Sequence, residues 1–145
     1  MKKLLIVIGI IVAVLVAVWA VTRTFYPDNI AETALDGGNK DLKTRFYKTD
    51  LAEAAKRVKE IIPTISTWGA NWKLAEDRIE GDSAVIRAEV PVVVFTDDLE
   101  VRIKQEKDQV RVDVRSASRV GKSDFGENRR HVVQILDAMD QKLGG

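Results

Sequence analysis

The sequence predicts an α+β protein in which an N-terminal transmembrane helix precedes a two-layer sandwich, an antiparallel sheet with two helices on one face. Three observations carry that prediction. Leu4 to Val21 is an unbroken apolar run, the stretches after Asp50 and Asp124 repeat apolar residues at spacings of three and four, and the chain between them alternates with period two. Of the 145 residues, 1–26 read as anchor with flanks, 27–43 as a tether and 44–145 as the exported domain. That domain has about 100 residues, enough for one modest core.

At 1.5 Å per residue the apolar run makes about 27 Å of helix, close to the hydrocarbon thickness of a bilayer. Lys2 and Lys3 precede it and Arg23 follows, while Trp19, Phe25 and Tyr26 gather at its far end. The lysines favour a cytoplasmic N-terminus, so the expectation is a single-pass protein with an extracytoplasmic C-terminal domain. A cleaved signal peptide is the competing reading, with Val18-Trp19-Ala20 as its cleavage pattern. A bulky Trp at the cut and a long apolar run favour the retained anchor. Pro27 to Lys43 has Pro, Gly-Gly, Asn and Asp without an apolar period and reads as a tether spanning up to roughly 50 Å.

Arg45 to Lys48 reads as a short first strand. Asp50 and Glu53 have capping-box spacing, and Leu51, Ala54, Ala55, Val58, Ile61 and Ile62 make the apolar face of a helix that stops at Pro63. Trp72 to Ile79 is a strand, Glu80-Gly81-Asp82 a turn, and Ala84, Ile86, Ala88 and Val90 face one side of the next strand. Pro91 marks an edge or bulge, and Val92 to Phe95, apolar on both faces, is expected to be covered on both. The runs Leu99–Ile103 and Val110–Val114, separated by a polar turn, form the clearest hairpin, its outer face set for cross-strand pairs of opposite charge. A second capping box, Asp124 and Glu127, opens the last helix, with Phe125, Val132, Val133, Leu136, Met139 and Leu143 as its stripe. Trp68 and Trp72 are assigned to the core, and His131 to the border of the stripe.

With 23 basic and 22 acidic residues the net charge is +1, which gives no pull toward nucleic acid. The absence of cysteine and the single histidine exclude a thiolate or multi-histidine metal site within one chain, and no cofactor is expected. Polar chemistry concentrates in Arg115 to Arg130, which holds four arginines and three serines. Phe95-Thr96-Asp97-Asp98, then Val101-Arg102, then the run from Arg115 through Ser116, Ser118, Arg119, Gly121, Ser123 and Asp124 to Asn128, resembles the signature of the bacterial and plastid family catalogued as domain of unknown function 1499. The resemblance covers about Lys43 to Leu143. It implies a small exported or membrane-attached protein and no settled activity. The family's arginine shortly after the asparagine corresponds to Arg129, Arg130 or His131.

The residues themselves allow three roles. As a structural staple, Asp97 or Asp98 pairs with Arg115 or Arg119, Asp124 caps the last helix, Gly121 and Gly126 relax the backbone, and Asn128 and the serines bond the turn. As a site, Ser116, Ser118, Ser123, Arg119 and Lys122 at a helix start suit an anionic ligand or an envelope protein, with Asp97, Asp98, Arg102, Arg115, Gly121, Asp124 and Asn128 around them. Catalysis lacks support: no serine stands three residues before Lys122, and adjacent Asp97 and Asp98 on a strand point to opposite faces. The expectation is therefore a membrane-anchored, non-catalytic binding or structural module, with residues 4–21 in the membrane. A hydrophobic-ligand carrier with a cavity between sheet and helices is the alternative. A hydrolase would need a serine within reach of a base.

Overall fold

The computed structural model describes residues 1–25, 28–36, 38–121 and 124–144. Helix α1 (Lys2–Phe25) contains the window Lys3–Val21, long and apolar enough to cross a membrane by length and composition, and none of it is buried. The domain that follows is α+β. Strands β1 (Ile30–Glu32) and β2 (Arg45–Tyr47) precede α2 (Leu51–Ile61), and a two-stranded ribbon, β3 (Ser66–Thr67) with β4 (Ala70–Asn71), leads into three hairpin-linked strands. These are β5 (Lys73–Glu80), β6 (Ser83–Val92) and β7 (Phe95–Glu106); β8 (Gln109–Ser118) and α3 (Glu127–Leu143) complete the chain.

All pairings in the main sheet are antiparallel, in the order β1-β8-β7-β6-β5, with β2 sharing the β8 edge beside β1. Alternation decides the faces. Ala84, Ile86, Ala88 and Val90 of β6, Leu99, Val101 and Ile103 of β7, and Val110, Val112 and Val114 of β8 are buried under α2 and α3. Val58, Ile61, Ile62, Val132, Ile135, Leu136 and Met139 close the core from the helix side. On the open face β7 and β8 set Glu100 opposite Arg115 and Arg102 opposite Asp113, as the charge alternation predicts. Pro91 lies beyond Lys73 and Glu89, the last β5–β6 pair, so its missing N–H costs no ladder bond.

The helix starts are polar. Asp50 accepts from the Glu53 amide at 2.8 Å, and Gln105 Oε1 accepts from the Leu51 amide at 2.7 Å. Glu53 turns to Arg57 instead of reaching back, so half of the first capping box forms. Tyr47 anchors β2 by donating its buried hydroxyl to Asp140 at 2.6 Å, which together with burial raises its pKa.

Four expectations are corrected here. The tether is not free, because Ile30–Glu32 pairs with Arg115–Ala117 and Thr33 and Thr44 both donate to Asp113 Oδ1. Its lack of an apolar period reflects an edge strand only three residues long, too short to show one. Val92–Phe95 is not covered: Val93 and Val94 form a hairpin tip that projects past the core, and Val94 is 80% exposed. Trp68 is 63% exposed at the β3–β4 turn, whereas Trp72 is buried and donates Nε1–H to Thr67. Helix α3 starts at Glu127 rather than Asp124, leaving Phe125 exposed in the turn before it.

Asp113→Ala should cost about 1 to 3 kcal/mol in urea unfolding of the full chain, because two hydroxyls lose their acceptor. Amide exchange should accelerate at Ile30–Thr33 and hold in β5–β6. Unchanged exchange at Ile30–Thr33 would show that Asp113 does not hold β1.

Candidate functional site

The signature residues meet where β8 ends and α3 begins. Asn128, fully buried in the first turn of α3, accepts from Ser116 Oγ at 2.6 Å and donates to Ser118 Oγ and to the Asn29 carbonyl, both at 2.8 Å. Its own amide donates to Asp124 Oδ2 at 2.7 Å, and Asp124 Oδ1 accepts from the Gly126 amide. Asp124 thus caps the turn from two positions before Gly126, accepting from the Asn128 amide rather than the Glu127 amide of the expected box, and Gly126, at φ 83°, gives the left-handed residue through which the chain enters the helix. Asn29 Nδ2 donates to the Gly121 carbonyl, and the Ser118 amide donates to the Asn29 carbonyl. Gly121 takes φ 94°. One amide side chain joins three segments.

Beside this hub lies His131, 0% exposed rather than at the stripe border. Its ring meets Trp72 edge-on at 5.8 Å, its Nδ1 stands 3.4 Å from Ser116 Oγ and 3.6 Å from Asp97, and its Nε2 stands 3.6 Å from Glu127. Burial pushes the imidazole pKa down to about 4, aided by the charge of Arg130 and opposed by Asp124. The ring is therefore neutral at neutral pH. Burial also holds the Asp97 carboxyl above the ordinary carboxylate range; the Ser118 hydrogen bond pulls it back, and the charges of Asp124, Glu127 and Asp98 raise it again.

Ser116 and His131 satisfy the proximity that a hydrolase requires. Their surroundings do not fit attack on a substrate, since both are fully buried and the serine hydroxyl is already donated to Asn128. Among the described residues no group of three or more His, Asp or Glu side chains is placed to hold a metal ion.

The arginines do not join the hub. Arg119 forks onto Asp98 at 2.6 Å and also reaches Glu89 at 2.7 Å, on the sheet's open face. Arg102 pairs with Glu100 and Arg115 with Glu32. Arg129 meets Asp41, and Arg130 meets Glu127. Asp97 and Asp98 do take opposite faces, one buried and one exposed. Lys122 and Ser123, two members of the expected anion grip, lie outside the described residues.

What the same end of the sheet does form is an apolar groove of about 610 Å³, walled by Trp68, Val92–Phe95, Val120, Gly121 and Phe125. Asp97, Ser118, Asp124 and Glu127 supply its polar lining. Sequence reasoning missed the wall. The available signal was a hairpin turn made of Val93 and Val94, where turn chemistry favours Gly, Asn or Asp.

Asn128→Ala should destabilise the full chain by about 1 to 3 kcal/mol, since Ser116 Oγ loses its acceptor while Ser118 Oγ and the Asn29 carbonyl each lose one of two partners. A loss under about 0.5 kcal/mol would mean the hub does not hold the fold. His131 sets a pH slope. Because the folded imidazole titrates near 4 and the ordinary one near 6.5, the unfolded state binds more protons in between. Stability therefore falls as pH drops through that window, by about 3 kcal/mol from His131 alone. Asp97, raised, acts in the opposite sense. The slope should flatten in His131→Gln, and equal slopes in both proteins would show that the imidazole is not depressed.

The chain has no match among curated proteins. Among solved structures it is similar to the Ran-binding protein Mog1p of Saccharomyces cerevisiae, at 14% identity over 79% of this chain and 77% of that one, with a TM-score of 0.38. A likeness that slight carries no argument about partners. Residues 22–139 match a family across the groove, the hub and both helices of the domain, and the chain accordingly belongs to the family described as protein of unknown function (DUF1499).

Proposed function

We propose that this chain is a membrane-anchored, non-catalytic binding module whose groove takes the apolar part of an amphiphile bearing a hydrogen-bond-donating end. The observation that carries this reading is the conformation of the groove wall. Among the described residues four non-glycines have positive φ, and three of them, Trp68 (51°), Val93 (53°) and Phe125 (55°), are exposed apolar residues lining this one groove. Such a conformation costs of order 1 kcal/mol or more for a bulky or β-branched residue, and exposure adds to the cost. The fourth, Lys107, shows the ordinary solution: a polar residue in a solvent-exposed turn. Local rules broken together, at one place and with no internal compensation, point to a surface kept for a ligand.

Volume and polarity define the ligand. A groove of about 610 Å³ falls within the range of small-molecule sites, roughly 300 to 1,000 Å³. Its acidic lining suits an alcohol, amide or amine and disfavours a carboxylate or phosphate, because like charges brought together cost several kcal/mol. The anion reading loses support for the same reason, and because Arg119, Arg102 and Arg115 are paired elsewhere. The apolar helix α1 supports attachment to a membrane, and the lysines before it support an extracytoplasmic domain.

A photoreactive alkylamine, added to the full chain in mild detergent, should label residues 92–95, 118–121 and 124–127, with an alkyl carboxylate of equal length labelling more weakly. Val94→Asp should reduce the labelling about tenfold, by putting a charge into the apolar wall. Labelling spread over the surface, or indifferent to Val94→Asp, would overturn the reading.

A further inference from the structure

We infer that the groove end of the domain sits on the bilayer itself, with the Val93-Val94 tip and Phe125 in the interfacial layer, so that the groove opens toward lipid. The inference rests on the anchored-module reading and adds an orientation and an occupant, the lipid surface, for the exposed apolar end.

The argument is one of lengths. The apolar window of α1 ends at Val21 and the helix continues to Phe25, about 6 Å further. From Phe25 to Asn29 is four residues of chain, at most about 14 Å. Asn29 is not a loose end, since it is bonded to Ser118, Gly121 and Asn128 at the groove end of the sheet. That end is thus leashed within about 20 Å of the hydrocarbon boundary, of which the headgroup layer fills about 5 to 8 Å.

The opposite end of the β7–β8 hairpin, at Lys107 and Asp108, lies about 35 Å away along the strands. A leash of about 20 Å cannot let that end face the bilayer. From the level of Asp97, which pairs with Ser118, the β6–β7 tip projects three to four residues further, about 10 to 13 Å. The side chains it carries beyond the hub are those a bilayer interface accepts: Val93, Val94 and Phe95, with Trp68, Val120 and Phe125 beside them, all more than half exposed.

The chain has no cysteine, so single labels are clean. Val94→Cys, Val120→Cys and Asp108→Cys in the full chain would each carry an environment-sensitive fluorophore in phosphatidylcholine vesicles containing lipids with a quencher on the acyl chain. Positions 94 and 120 are exposed, so neither change disturbs the core. Labels at 94 and 120 should be quenched several-fold more than the label at 108. Equal quenching at all three overturns the inference, and so does self-quenching between copies labelled at 94 without lipid quenching, which would put a second copy on the patch. Photolabelling of the groove in detergent separates the two ideas: if it persists while lipid quenching fails, the orientation is wrong and the binding reading stands.

Discussion

The buried amide of Asn128 is the constraint on which the rest of the domain depends. A primary amide in a dry interior must find partners for both its donor and its acceptor side, and here each partner lies on a different segment. Ser116 and Ser118 place it on the last strand, Asn29 ties it to the chain leaving α1, and Asp124 orders the turn that leads into α3. An apolar residue of similar size could not replace these contacts, because Ser116 Oγ would lose its acceptor and Ser118 Oγ and the Asn29 carbonyl would each lose a partner. The hub therefore sets where β1 docks, where the last helix begins and how the loop between Ser118 and Asp124 is spanned.

That loop and the β6–β7 tip then acquire their character. With Ser116, Ser118 and Asn128 turned inward, the described residues left exposed around the groove include Val93, Val94, Val120 and Phe125, with Trp68 next to them. Of the four arginines in the same stretch of sequence, Arg115 and Arg119 are drawn to the open face of the sheet by Glu32, Asp98 and Glu89, while Arg129 and Arg130 pair with Asp41 and Glu127. The cluster that looks basic as a string of letters becomes, in space, a groove with an acidic lining.

His131 shows how polar groups are carried inside without charge. Set edge-on to Trp72 and enclosed by Ser116, Asp97 and Glu127, the ring is kept neutral because burial penalises the imidazolium, the charge of Arg130 adds to that penalty and Asp124 only partly offsets it. Asp97 bridges the two regions, facing His131 on one side and the groove on the other.

Much of the fold was legible because it is local. Period two along β6, β7 and β8, the three-and-four spacing in α2, Pro63 at its end and Asp50 at its start each involve residues within a few positions of one another. Which turn faces water is not local. Val92–Phe95 reads as a covered strand until Val92 is seen to pair with Phe95, and Asn29 reads as tether until Asn128, 99 positions away, takes its carbonyl. Likewise His131 looks marginal on a helical wheel, and only the convergence of β7 and β8 beneath α3 buries it. The sequence by itself determined the elements, their apolar faces and the helix of membrane-spanning length, since these follow from spacing along the chain. The groove, the hub and the partners of each arginine were decided by tertiary structure, because they arise only when strands distant in sequence close against the start of α3.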